Sequence, residues 1–435
     1  MYKYYTLSNG LKIVTEYIEH VNSISIGVMV QNGSRNEPEN LNGISHFIEH
    51  MFFKGTTKRT SKEIVEEIEN IGGQINAYTS KEATCYYTKT LDTHFDLSLD
   101  VLSDMLLNSK FDPEEIEKEK GVVVEEINMS EDSPEDVLED LHAKAMFGDN
   151  PLAYPILGTI EKVRSFTREN LVDYIDNHYT PKNSVISICG KFDEKEIIKY
   201  VEKYFGEWNC KKEIIVEYKT PILLDDKLYA DKQIEQLHVG LGLKSVAYGD
   251  KLSPGMLVLN NILGGGASSI LFQKVREELG LCYTIYSYLH PYQGVGVLNI
   301  YAGLNKQFGE KALTVIETEL NNLVNNGVSS RELDINKEKI KASYILGLES
   351  TSSRMFANAK SLLFRGRVRL QSEVLENISK ITNDDIGLLL NETIKGGIIS
   401  AAYVGNNVDY NNLNNIVNKS RIAYDNSSQN GKFNI

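Results

Sequence analysis

Cysteine is scarce: the 435 residues hold only Cys85, Cys189, Cys210 and Cys282. They are widely separated and form no C-x-x-C pair, which excludes a disulfide framework and a thiolate zinc knot and leaves buried thiols in a reducing compartment. The 9 prolines and 32 glycines exclude a collagen-like or linker-rich chain. No window approaches the ~18 uninterrupted apolar residues of a membrane span, so a soluble protein is expected. Basic charge is also in deficit, with 46 Lys and Arg against 60 Asp and Glu and a formal charge of -14. That balance excludes nucleic acid as the main partner and favours cationic ligands such as positively charged peptides. Met1 to Val14 lacks the basic start and long apolar stretch of a signal peptide, so the cytoplasm is the expected location.

The length suits two or three domains of roughly 150 residues. Ile24, Ile26, Val28 and Val30 alternate with small or polar neighbours, which predicts a strand with one buried face. A helical pattern follows from Asn42 through Phe53, with Gly55 where a helix would end. Asp112 at a cap and Pro113 at the first helical position open a helix running through Ile127, and Ser133 with Pro134 opens another. Cys85 to Leu91 and Ser184 to Cys189 read as strands, so the elements are mixed α and β.

Sliding one half of the chain on the other reveals a repeat. Ile26-Gly27-Val28 matches Val239-Gly240-Leu241 at a shift of 213, Glu115-Ile116 matches Glu332-Leu333 at 217, and Gly190 matches Gly405 at 215. The expected fold is therefore α+β: two homologous mixed domains from an internal duplication, each an antiparallel-rich sheet packed against helices. Their expected spans are 1–212 and 233–423, with a linker and first strand at 213–232 and a loose Asn- and Ser-rich tail at 424–435.

The first repeat contains His46-Phe47-Ile48-Glu49-His50. Residues four apart on a helix lie within about 40° of one another and one turn apart, so His46 and His50 can grip one ion. Glu49 falls beside the same stripe, within reach of a water held there. The apolar neighbours Phe47, Ile48, Met51 and Phe52 predict a buried helix, where two imidazoles and a carboxylate without a partner would be costly. Zinc with two nitrogens needs a third protein ligand and an open position for water. Glu119 and Glu126, seven apart and about 20° out of alignment, share one stripe of the helix opened by Asp112. Glu125 points elsewhere, and Val122 to Val124 mark the intervening turn as buried. Periodicity alone leaves Glu119 and Glu126 as alternatives.

His46-x-x-Glu49-His50 is an inverted zinc motif, and it resembles the pitrilysin/insulinase family of metallopeptidases, above all the half-length branch that includes mitochondrial processing peptidase and bacterial processing proteases. The resemblance covers essentially the whole chain, duplication included. In that family the third ligand is a glutamate about 76 positions beyond the second histidine, and Glu126 stands there. A supporting glutamate seven residues earlier corresponds to Glu119.

The second repeat lacks these groups. Aligning Gly55 with Gly265 puts Met256, Leu259 and Asn260 opposite His46, Glu49 and His50, so one Zn2+ per chain is expected. Gly264-Gly265-Gly266 lacks the Lys-Ser/Thr ending of a nucleotide loop, and close backbone packing at a helix end is the better reading. Resemblance further implies that Arg276 holds peptide carbonyls and that Tyr283, seven residues later, donates to the oxyanion. Ile75 to Ser80, with Asn76 and Ala77, resembles the exposed edge strand to which a peptide adds.

These residues together predict a zinc endopeptidase acting on extended or unfolded peptides, with Glu49 as general base. A non-catalytic peptide-binding or scaffold subunit is the alternative. Full-length relatives enclose substrate between two halves of about this size, which implies a partner: a homodimer, with a heterodimer as the other arrangement.

Overall fold

The computed structural model describes residues 2–209 and 218–418. Cys210, positions 213–217 of the expected linker and the expected tail at 424–435 lie outside the described residues. Two compact units are present, and neither is contiguous in the chain. The first comprises Met1–Met129, Tyr154–Glu217 and Ile345–Arg369; the second comprises Ser130–Ala153, Tyr218–Tyr344 and Leu370–Ile435. The spans 1–212 and 233–423 follow the repeat along the sequence, whereas the units exchange one short segment each.

In the first unit, β1 (Tyr2–Thr6), β2 (Lys12–Tyr17), β3 (Ser23–Val30), β4 (Gln74–Thr79), β5 (Thr84–Leu91) and β6 (Ser184–Gly190) form a sheet ordered β1-β2-β6-β3-β5-β4. Only β2 and β6 pair in parallel. In the second unit, β7 (Lys227–Asp231), β8 (Gln236–Ser245), β9 (Cys282–Tyr292), β10 (Val295–Asn305) and β11 (Ser400–Gly405) are ordered β7-β11-β8-β10-β9, again with one parallel pair, β7 with β11. The second order reproduces β2-β6-β3-β5-β4 strand for strand, which is the duplication in three dimensions.

The segment β3 is buried along both faces, contrary to the single buried face that its alternation predicts. Ile24, Ile26, Val28 and Val30 face the main core, and the helix Thr351–Arg365 covers the other side. That helix meets the small and polar neighbours: Ser25 Oγ lies 2.9 Å from Thr351 Oγ1, and a Cβ on Gly27 would overlap Met355 Sδ. Arg354 and Asn358 donate to the buried Glu16 carboxylate at 2.5 and 2.8 Å. The second sheet is covered likewise by the helix Pro134–Phe147, where Met146 Cε occupies the space a Cβ on Gly242 would need. No helix among the described residues is long and apolar enough to cross a membrane.

The first four α-helices of the first unit are α1 (Ile44–Phe52), α2 (Ser61–Glu69), α3 (Phe95–Asn108) and α4 (Pro113–Asp132). As its capping signals predict, α4 starts with Glu114 N–H donating to Asp112 Oδ1 at 2.9 Å, and it continues one turn beyond Ile127. In its central turn Val123 and Val124 are buried but Val122 is exposed, so the expectation that all three are buried is corrected: on a helix, three consecutive residues span too wide an arc to face one core.

Candidate metal centre

The helix α1 is short and lies against a core that includes its own Ile44, Phe47, Ile48, Met51 and Phe52. This apolar face fixes the rotation of α1, so the remaining arc, with His46, Glu49 and His50, points to one place. The imidazole rings of His46 and His50 stand one turn apart with centroids 4.6 Å from each other.

Across from them, α4 brings both of the glutamates that helical periodicity leaves as alternatives, and it gives them different partners. Glu126 reaches the Nε2 atoms, with Oε1 at 3.7 Å from His46 and Oε2 at 3.5 Å from His50. Glu119, two turns earlier, accepts from His50 Nδ1 at 2.8 Å. Its other oxygen meets Lys54 Nζ at 2.5 Å, and the residue is only 3% exposed. A carboxylate on Nδ1 fixes the tautomer that leaves the Nε2 lone pair free, the arrangement that orients metal-ligating histidines.

Ligand atoms of His46, His50 and Glu126 all lie within 4.8 Å of one another, the one such group of three found among the described residues. Two imidazole nitrogens and one carboxylate oxygen suit a catalytic zinc site with a position left open. For His46 the electrostatics agree. Burial, reinforced by the neighbouring His50, pushes His46 down to about 3, so it presents a neutral lone pair. For His50, burial pulls the same way, but the hydrogen bond to Glu119 and the charge of Glu126 outweigh it and raise the pKa. Glu119 is held below its ordinary value because His50 and Lys54 together outweigh its desolvation.

Glu49 is half-buried beside this group, and its carboxylate accepts a hydrogen bond from Thr79 Oγ1. Burial raises the Glu49 pKa, and the Thr79 contact partly opposes that rise. Thr79 is the last residue of β4, the outermost strand of its sheet, which pairs with β5 on one side from Gln74 opposite Lys89 to Thr79 opposite Thr84. Asn76 and Ala77 lie in the middle of that edge, Asn76 exposed and Ala77 half-buried. Glu49 and the edge strand are thus joined by one side chain, a link that no spacing in the sequence signals.

Arg276 and Tyr283 belong to the second unit. Arg276 lies on the π-helical segment Phe272–Glu278, and Tyr283 is the second residue of β9. The Arg276 guanidinium sits 4.5 Å from the Phe272 ring centroid and 5.2 Å from that of Tyr283, whose side chain is largely exposed. Gly264 and Gly265 end the helix Ser253–Gly264 in tight backbone packing: a Cβ on Gly264 would stand 2.5 Å from Ser287 N. Gly266 has open space around it.

Comparison with known proteins agrees with this geometry. Residues 12–160 match the model of insulinase, peptidase family M16, and residues 165–340 match that of the peptidase M16 inactive domain. An uncharacterized zinc protease of Bacillus subtilis is 44% identical over 88% of this chain and 93% of its own length. Another, from Streptomyces coelicolor, is 37% identical over 88% of this chain and 84% of its own. Among solved structures, a protease from Helicobacter pylori has the same fold, with a TM-score of 0.86 at 24% identity over 93% of this chain and 99% of that one. A chain of Complex III2 from Candida albicans also shares the fold, at a TM-score of 0.83 and 19% identity over 95% and 99%. The chain belongs to peptidase family M16, the insulinase family, and its function is of the zinc-protease type.

Proposed function

We propose that this protein is a zinc endopeptidase that hydrolyses extended or unfolded peptides, with His46, His50 and Glu126 as the metal ligands and Glu49 as the general base. The observation that carries this reading is the convergence of one ligand atom each from His46, His50 and Glu126 within 4.8 Å, with the Glu126 oxygens 3.7 and 3.5 Å from the two Nε2 atoms and Glu49 on the same helix as the histidines. Zinc held by His46, His50 and Glu126 would supply Lewis acidity and lower the pKa of a water there to about 7.

Glu49 takes a proton from the attacking water and returns it to the leaving amine. Thr79 fixes the carboxylate through its Oε2, leaving the other oxygen for the proton. Glu119 acts one step removed, as a positioning residue that sets the His50 ring. An extended peptide adds to the free side of β4 along Asn76 and Ala77, bound by backbone groups and with little demand on its sequence. Arg276 holds substrate carbonyls, and Tyr283 donates to the oxyanion. A homodimer provides the partner half, the zinc count is one per chain and the cytoplasm is the place of action.

Cleavage of a quenched peptide, measured alongside metal content, tests the proposal. Glu49→Gln should keep its zinc and lose roughly 10²–10⁴-fold in kcat. Unchanged turnover would refute the assigned base, and a wild-type chain that binds zinc without cleaving at any concentration would favour the scaffold reading.

A further inference from the structure

The start of α1 depends on a residue that takes no part in the chemistry above. Gly43 precedes the helix with φ of +95° and offers no side-chain cap. Nothing larger fits, since a Cβ there would stand 2.7 Å from Leu157 O and 2.8 Å from Gly158 Cα. The first N–H groups of a helix nevertheless need acceptors. Glu37 supplies them from outside the helix. Its Oε2 accepts from Gly43 N–H at 2.7 Å and from Asn42 Nδ2 at 2.9 Å, and its Oε1 accepts from Ser45 N–H at 2.8 Å.

Glu37 is 2% exposed, and although burial raises its pKa, the donors of Gly43, Ser45 and Asn42 oppose that rise and engage both oxygens as they would those of an ionised carboxylate. Negative charge at this point also meets the positive end of the α1 dipole. A second strut lies beside it: Asn32 Nδ2 donates to Ser45 Oγ at 3.0 Å, and Tyr174 OH donates to Asn32 Oδ1 at 2.8 Å. Ser45 immediately precedes His46, and α1 has only nine residues. Any tilt of its first turn therefore carries both imidazoles away from Glu126, which is held independently on α4.

Resting on the zinc reading above, we propose that Glu37 is a positioning residue for the metal site: a buried carboxylate cap that aims α1 so that the Nε2 atoms of His46 and His50 meet Glu126. A Gln there would turn an N–H toward the N–H of Gly43 or Ser45, breaking the cap with almost no change in volume. The test is zinc affinity of the full chain by chelator competition, with thermal unfolding of the metal-stripped chain alongside.

Glu37→Gln should weaken zinc about tenfold, in the range found for outer partners of metal ligands, while the stripped chain still unfolds cooperatively. Asn42→Ala, which loosens the carboxylate without altering its charge, should weaken zinc about threefold and decides the matter if the first variant fails to fold. Wild-type affinity in a folded Glu37→Gln chain, or in Asn42→Ala where that chain does not fold, would overturn the proposal. A wild-type chain that binds no zinc would remove the metalloprotease reading itself, and this inference with it.

Discussion

The two repeats place the same helix pair against the same sheet and finish it differently. In the first, His50 of α1 donates to Glu119 of α4; in the second, Asn261 of the helix Ser253–Gly264 donates to Asn336 Oδ1 of the helix Ser330–Gly347 at 2.6 Å. Asn336 is the residue that a shift of 217 places opposite Glu119. The polar bridge between helices is thus common to both units, and what distinguishes the first is its chemistry: an imidazole and a carboxylate in place of two amides. An amide pair satisfies its hydrogen bond and stops there. A histidine whose Nδ1 is held by a carboxylate still has a second nitrogen to offer. The bridge falls on Asn261, one position beyond the Asn260 reached by aligning Gly55 with Gly265; Asn260 instead accepts from Ser287 Oγ at 2.8 Å.

The largest expected effect comes from making the first unit like the second. His50→Asn copies the amide into α1 and should abolish stoichiometric zinc binding and peptide cleavage, while Asn261→His in the second unit should leave the zinc count unchanged. Zinc content of the two purified variants checks both halves of the comparison, and a gain of metal in Asn261→His would show that the second scaffold is closer to a site than its residues indicate. A smaller loss is expected from Glu119→Gln, which keeps the bridge but removes its charge. Zinc affinity should fall about 10–100-fold in chelator competition.

The smallest effect concerns what the repeats share. Gly27 under Met355 and Gly242 under Met146 use one device at strand positions two residues apart in the repeat, a glycine that admits a methionine from a covering helix. Gly27→Ala and Gly242→Ala should each cost about 1–3 kcal/mol in urea unfolding through overpacking. Pairing Gly27→Ala with Met355→Ala should recover part of that cost.

Much of this architecture is legible in the sequence because it rests on local periodicity. The helical spacing of His46, Glu49 and His50, the caps at Asp112 and Ser133 and the repeat itself all express contacts within a few turns or a fixed offset. The choice between Glu119 and Glu126 is not local: both lie on one stripe, and only the opposing helix shows that one meets Nε2 and the other Nδ1. The covering helices are illegible for a related reason. Ser25 and Gly27 read as the outer face of a strand, yet their partners Thr351 and Met355 stand more than 320 positions away. Glu37 and Thr79 escape because they reach α1 from a loop and a strand, where no period links donor to acceptor.

Zinc content of Glu126→Gln, measured beside Glu125→Gln as the neighbouring exposed control, tests the central claim most directly. The expected result is one zinc per chain in the wild type and in Glu125→Gln, with little or none in Glu126→Gln. Full zinc in Glu126→Gln, held as tightly as in the wild type, would contradict the ligand set on which the account depends.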